Sequence, residues 1–217
     1  MTLGRRLVAE AVGSAFLLAA VVGSGIMGER LAGGSVGLAL LANSAATGVA
    51  LVALISALGP VSGAHLNPVV TLGAALDGEL RWREGAGYTL AQLSGAIVGV
   101  AAANAMFELP LFSLSQHPRH GAAQLLGEFV ATFGLVLLVR SSARRKDSSW
   151  IALAVGGYIA AAYWFTSSTS FANPAVTVAR ALTDTFAGIR PVDVGGFVAV
   201  QLASALAAIG FTRWLVP

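Results

Sequence analysis

The sequence predicts an all-α membrane protein with six transmembrane helices and two re-entrant half-helices, arranged as inverted repeats. Three observations lead there. Of 217 residues, 56% are hydrophobic and 11% charged, with a mean hydropathy of +0.79; about a quarter of the residues of a soluble domain are charged, so this chain needs lipid as its solvent. Two tripeptides, Asn67-Pro68-Val69 and Asn173-Pro174-Ala175, each interrupt an apolar segment that then resumes. The chain also repeats itself: Glu10 in AEAVGSAFLL answers Glu128 in GEFVATFGLVLL, Asn67 answers Asn173, and Gln92 in LAQLSGAIVG answers Gln201 in AVQLASALAA.

Six stretches, 5–27, 36–58, 84–107, 121–140, 149–168 and 192–213, are long enough to cross about 30 Å of hydrocarbon as helices. The first exceeds the roughly 7–15 apolar residues of a signal-peptide core, and no small-residue cleavage site is followed by a soluble domain, so it reads as a span. After the second span, 59–77 is too polar at its start and too short to cross. Within it Pro68 suits the first turn of a half-helix, where its missing N–H would be unpaired anyway, and Asn67 suits the cap, with its amide NH2 left free. The third and fourth spans follow, then the fifth. Segment 169–186 then repeats the interruption with Asn173 and Pro174 before the last span. Irregular backbone at membrane depth is tolerated only where it lines a cavity or is covered by protein, so two re-entrant segments imply a pore.

Each half holds three spans, an odd number, so the second half enters from the opposite side. Inverted repeats of about 1–107 and 121–217 within a single channel domain, 1–217, place both half-helix tips at the midplane. Two positive dipole ends and two amides there would admit neutral hydrogen-bonding solutes and repel cations. With both termini cytoplasmic, Arg5, Arg6, Arg81, Arg83, Arg140, Arg144, Arg145, Lys146 and Arg213 lie inside, against Arg30, Arg119, Arg180 and Arg190 outside.

Composition also excludes chemistries. Without cysteine there is no disulfide, thiolate metal site or thiol capture of soft metalloids. A net charge of +3, distributed by topology, is no nucleic-acid signal. No nucleophile, base and orienting group converge, so the chain is not read as an enzyme, and neither cofactor nor metal is implied. Gly, at 26 residues, suits close helix packing in lipid. Glu10 and Glu128 are costly in a membrane and need partners; backbone N–H groups of the re-entrant loops would supply them. His65 reads as pore wall or loop support, His117 and His120 as solvated loop residues, and Gln92 and Gln201 as interhelical hydrogen bonders.

SGAHLNPVVTLGAAL and FANPAVTVA, with the paired glutamates and the six-span layout, resemble the aquaporin and aquaglyceroporin (major intrinsic protein) family over essentially the whole chain. The resemblance implies a right-handed six-helix bundle with a pore in every protomer, a homotetramer, and an inner-membrane, multi-pass bacterial location. It also implies a selectivity filter. Where water- and glycerol-conducting members usually carry an arginine directly after the second tripeptide, this chain has Val176; the same alignment puts Thr47, Ala161 and Ser170 at the other three positions, all small. The glycerol-type aspartate that follows the arginine is replaced by Thr177. Arg180, four residues after Val176, either pairs with Asp184 or stands with Asn43 in an outer vestibule.

The string NPAVTVARALTDTFAGIRP is similar to a bacterial subgroup that accompanies arsenic-resistance genes. Together these features imply a passive channel with a wide filter for small uncharged solutes, namely arsenicals (arsenite or organic forms) and polyols such as glycerol, with water a lesser cargo. The alternatives are a general water/glycerol facilitator and, in a different class, a proton-coupled secondary transporter.

Overall fold

A computed structural model describes residues 1–143 and 148–215. Those residues form eight helices: α1 (Leu3–Leu31), α2 (Val36–Ser62), α3 (Pro68–Leu76), α4 (Trp82–Met106), α5 (Ala122–Ala143), α6 (Ser148–Phe165), α7 (Pro174–Arg180) and α8 (Pro191–Leu215). By length and composition α1, α2, α4, α5 and α8 suffice to cross a membrane. With 18 residues, α6 is about 27 Å long, close to the hydrocarbon thickness. The 9 residues of α3 and 7 of α7 reach only about 14 and 10 Å, roughly half-way. The architecture is therefore six spans and two half-helices.

Several ends differ from the sequence reading by three or four residues, and two of them have a local cause. Helix α2 runs through Pro60 to Ser62 and stops at Gly63, whose left-handed φ of 89° closes a turn onto the Gly59 carbonyl. Helix α6 ends at Phe165 instead of 168, because the hydroxyls that follow compete for backbone groups: Thr166 Oγ1 donates to Ala162 O at 2.7 Å, and Ser168 Oγ accepts from Ser170 N at 3.3 Å. The basic cluster Arg144, Arg145 and Lys146 lies outside the described residues.

Helix α1 packs on α2 and α4, α5 packs on α6 and α8, and α2 meets α6 to join the two halves. Glycine sets the closest of these approaches. A Cβ at Gly95 or Gly99 would collide with the Ala11 or Ala15 carbonyl oxygen of α1, and one at Gly48 would stand 2.8 Å from Gly156 O. Small residues let backbones meet where lipid gives no hydrophobic drive to associate. Gly99→Val should therefore force α4 off α1, cost about 3 kcal/mol or more, and abolish the monodisperse peak of detergent-solubilised protein in size exclusion. Gly210→Ala, where a Cβ meets nothing within 4 Å, should leave that peak intact.

Candidate functional site

The two half-helices start against each other. Asn67 and Asn173 hold extended backbone (φ −157° in both) while Pro68 and Pro174 open the helices. Asn67 Oδ1 accepts from Val69 N at 3.0 Å; Asn173 Oδ1 accepts from Ala175 N at 3.0 Å and Val176 N at 3.3 Å. The amide nitrogens are not free, as the sequence reading had it: Asn67 Nδ2 donates to Ala172 O and Asn173 Nδ2 to Leu66 O, both at 2.8 Å. Each amide has two N–H groups, so one crosses to the opposite loop and one remains available.

The loops leading to these caps are bent in a way side chains resist. Ala64, Leu66, Ser170 and Ala172 have φ of 45°, 49°, 51° and 47°, a left-handed conformation costing about 1–3 kcal/mol per residue that persists only where the surroundings enforce it. Two fully buried glutamates enforce it. Glu10 accepts from Ser62 Oγ (2.6 Å), His65 N (3.0 Å), Leu66 N (2.7 Å) and Gln92 Nε2 (2.8 Å). Glu128 accepts from Phe171 N (2.8 Å), Ala172 N (2.9 Å) and Gln201 Nε2 (2.6 Å). Gln92 and Gln201 also donate to Thr71 Oγ1 and Thr177 Oγ1, each at 2.9 Å. Apart from Ser62 Oγ on Glu10 and Val176 N on Asn173 Oδ1, each of these contacts in one half has its counterpart in the other.

A cavity of about 700 Å³ passes these tips. At the end nearer the termini its lining includes Asp77, Arg140 and Arg213; the middle includes His65, Asn67, Asn173 and apolar Leu17, Leu51, Ile55 and Val155; the far end includes Thr47, Tyr163, Ser170, Val176 and Arg180. Around Asn67, Asn173 and His65 the mid-depth lining is mostly apolar, as small-molecule sites generally are, whereas both ends carry polar and charged groups. His65 Nδ1 lies 3.1 Å from Thr71 Oγ1, with its ring against Tyr88. Thr47 Oγ1 and Tyr163 OH share a hydrogen bond of 3.3 Å across the lumen wall.

Three expected placements need correction. Ala161 is exposed and absent from the cavity; Tyr163 takes its place. The α6 residues that line the cavity, Ile151, Val155, Ile159 and Tyr163, recur every four positions, and Ala161, two positions or about 200° from both Ile159 and Tyr163, lies off that face. Asn43 does not reach the cavity: its amide donates to Val21 O (2.8 Å) and Ser24 Oγ (2.9 Å), clamping α2 to α1. Arg180 does line the cavity, but it does not pair with Asp184, which accepts from Gln116 N instead. Arg180 is 2% exposed, donates from Nε to Ala187 O, and sets its guanidinium carbon 3.4 Å from the Phe171 ring centroid.

The mouth near the termini carries an ionic cluster that sequence reasoning missed, since its members are 63 or more positions apart. Asp77 joins α3 to α5 and α8 by accepting from Arg140, and from Arg213 at 3.1 Å. Partial burial raises its pKa, but hydrogen bonds from Arg140 and Arg213 more than offset this and hold it below the ordinary 3.8. A carboxylate whose folded pKa is depressed stabilises above its unfolded value and loses that contribution as pH falls through the folded one. Asp77→Asn should thus cost about 1 kcal/mol at neutral pH, a small value because the pair is partly exposed. In thermal unfolding the gap between variant and wild type should close below pH 3.8.

Known proteins match this arrangement. A family model described as Major intrinsic protein matches residues 1–171. Aquaglyceroporin AqpS of Rhizobium meliloti (strain 1021) is 53% identical over 216 residues, 99% of this chain and 91% of that protein. Aquaporin NIP1-4 of Oryza sativa subsp. japonica is 37% identical over 144 residues, 63% of this chain and 52% of that one. The X-ray structure of the aquaglyceroporin from Plasmodium falciparum superposes with a TM-score of 0.74 over 98% of this chain and 95% of that one, at 20% identity, a likeness of fold.

Proposed function

The chain belongs to the major intrinsic protein family, and on that premise we propose that it is a passive channel whose wide filter passes small uncharged solutes: arsenicals such as arsenite or organic arsenic forms, polyols such as glycerol, and water to a lesser degree. Members of this family are channels and not enzymes. The observation that carries the reading is that Val176 lines the far end of the cavity; by the resemblance to the family, it stands at the position that an arginine usually fills. There Val176 faces a lumen with Thr47, Tyr163 and Ser170, wider and less charged than an arginine would leave it.

The matched hydrogen bonds of the two halves support inverted repeats, 1–107 and 121–217, within one channel domain. The protein sits in a bacterial inner membrane with both termini cytoplasmic, as a homotetramer, and Asp77, Arg140 and Arg213 then ring the cytoplasmic mouth while Arg180 stands at the extracellular one. Solute uptake into proteoliposomes across a panel of water, glycerol, urea, arsenite and methylated arsenicals tests the reading. Glycerol and arsenite should enter well above protein-free vesicles, and water alone entering would favour a facilitator of another selectivity.

A proton-coupled transporter would need a titratable group free to change partners at the midplane. Glu10 and Glu128 accept four and three hydrogen bonds within the described structure, from the loops and from the helices beside them. His65, the remaining titratable group at mid-depth, has Nδ1 3.1 Å from Thr71 Oγ1 and its ring against Tyr88, which favours the passive channel.

A further inference from the structure

Six buried side-chain polar atoms among the described residues lack a hydrogen-bond partner: Ser14 Oγ, Gln92 Oε1, Gln124 Oε1, Thr132 Oγ1, Ser170 Oγ and Arg180 Nη1. Of these residues only Ser170 and Arg180 line the cavity, and both do so at the same end. A buried polar group without a partner is costly, and a cationic one more so, unless something that enters the cavity satisfies it.

The two groups are held in place rather than left loose. Arg180 is anchored through Nε to Ala187 O and lies 3.4 Å from the centroid of Phe171, whose own N–H is fixed by Glu128 Oε1. Ser170 directly precedes that ring and is 3% exposed. Arg119 lies 4.9 Å from the same centroid, but its donors go to Gly188 O (2.7 Å), Ser168 O (3.3 Å) and Thr169 Oγ1 (3.3 Å). Among the described residues neither guanidinium has a carboxylate in ion-pair range. The acids nearby are engaged: Glu128 with the loop and Gln201, Asp184 with Gln116 N, and Asp193 with Arg190 and Arg119 N. What remains is a guanidinium with no ion-pair partner among the described residues, whose Nη1 has no acceptor, at the same end of the cavity as an unpartnered hydroxyl.

We propose that Arg180 Nη1 and Ser170 Oγ form a binding subsite in this mouth for a small oxoacid held in its singly ionised form. An anionic oxygen would accept a charge-assisted hydrogen bond from Nη1, and a second oxygen or hydroxyl of the same solute would bond Ser170 Oγ. A polyol could meet both groups but gains nothing from the charge. The subsite rests on the channel reading and refines it: beyond neutral cargo, this mouth captures oxoacids.

The test uses the full-length protein in proteoliposomes, with glycerol flux measured at constant ionic strength against rising methylphosphonate at mildly acidic pH, where the probe is a monoanion. Neutral dimethyl sulfone is the control, and each variant's block is normalised to its own glycerol flux without probe. Wild type should show saturable block by methylphosphonate and none by dimethyl sulfone. The half-blocking concentration should rise about tenfold or more in Arg180→Met, the fold-change of one lost charge-assisted hydrogen bond. It should rise several-fold in Ser170→Ala and stay closer to wild type in Arg180→Lys. If Arg180→Met fails to fold, Ser170→Ala and Arg180→Lys decide the matter, since Ser170 Oγ holds nothing in the fold. Absence of saturable block in wild type, or equal block in wild type and Ser170→Ala, overturns the subsite. Absence of glycerol flux in wild type instead overturns the channel reading.

Discussion

Val176→Arg is expected to cut arsenite and glycerol permeability by about tenfold or more while changing water permeability by only a few-fold. Val176 is 6% exposed at the cavity end shared with Thr47, Tyr163 and Ser170. An arginine there extends a rigid fork of five donors and a permanent charge into a lumen now bordered by an isopropyl group. Bulky hydroxylated solutes need cross-section, whereas water needs only a single file of donors and acceptors. The readout is the ratio of arsenite to water permeability in vesicles of matched protein density. If both fluxes fall together in well-folded protein, Val176 does not govern selectivity.

The second large effect is on folding. Glu128→Ala should strand the N–H groups of Phe171 and Ala172 and the Gln201 amide at about 1–3 kcal/mol each, and weaken the hold on left-handed backbone at Ser170 and Ala172. Against the few kcal/mol of net stability a domain retains, that is enough to lose most folded protein. Glu128→Gln keeps an acceptor oxygen and should recover part of the yield. The check is the monodisperse fraction after solubilisation, followed by glycerol flux per folded protomer. An alanine variant with full yield and full flux would remove Glu128 from the support of the loop.

Much of this was readable in the chain. Long apolar runs and two Asn-Pro pairs specify spans and half-helices, because proline and asparagine each have a local backbone reason to stand at a helix start. The positions of Glu10 and Glu128 in corresponding segments marked them as groups needing partners, although which N–H groups they meet depends on three-dimensional packing. Ala161 shows where local reading stops. Its assignment came from the family alignment, whereas the face of α6 that meets the lumen is set by packing and carries Val155, Ile159 and Tyr163. Asn43 had a polar side chain at a plausible height, yet helix rotation aims it at Val21 O and Ser24 Oγ. The Asp77, Arg140 and Arg213 cluster joins three helices distant in sequence, so no pattern along the chain announces it.

The central claim, a passive pore past Asn67 and Asn173, is tested most directly by initial rates of glycerol and arsenite uptake in proteoliposomes over a wide concentration range, with and without an imposed proton gradient. A pore predicts rates that rise linearly with concentration, ignore the gradient, and come with little proton current, since two half-helix dipoles and two amides face the lumen. Saturation at low concentration together with uptake driven by the gradient would contradict it and identify a carrier.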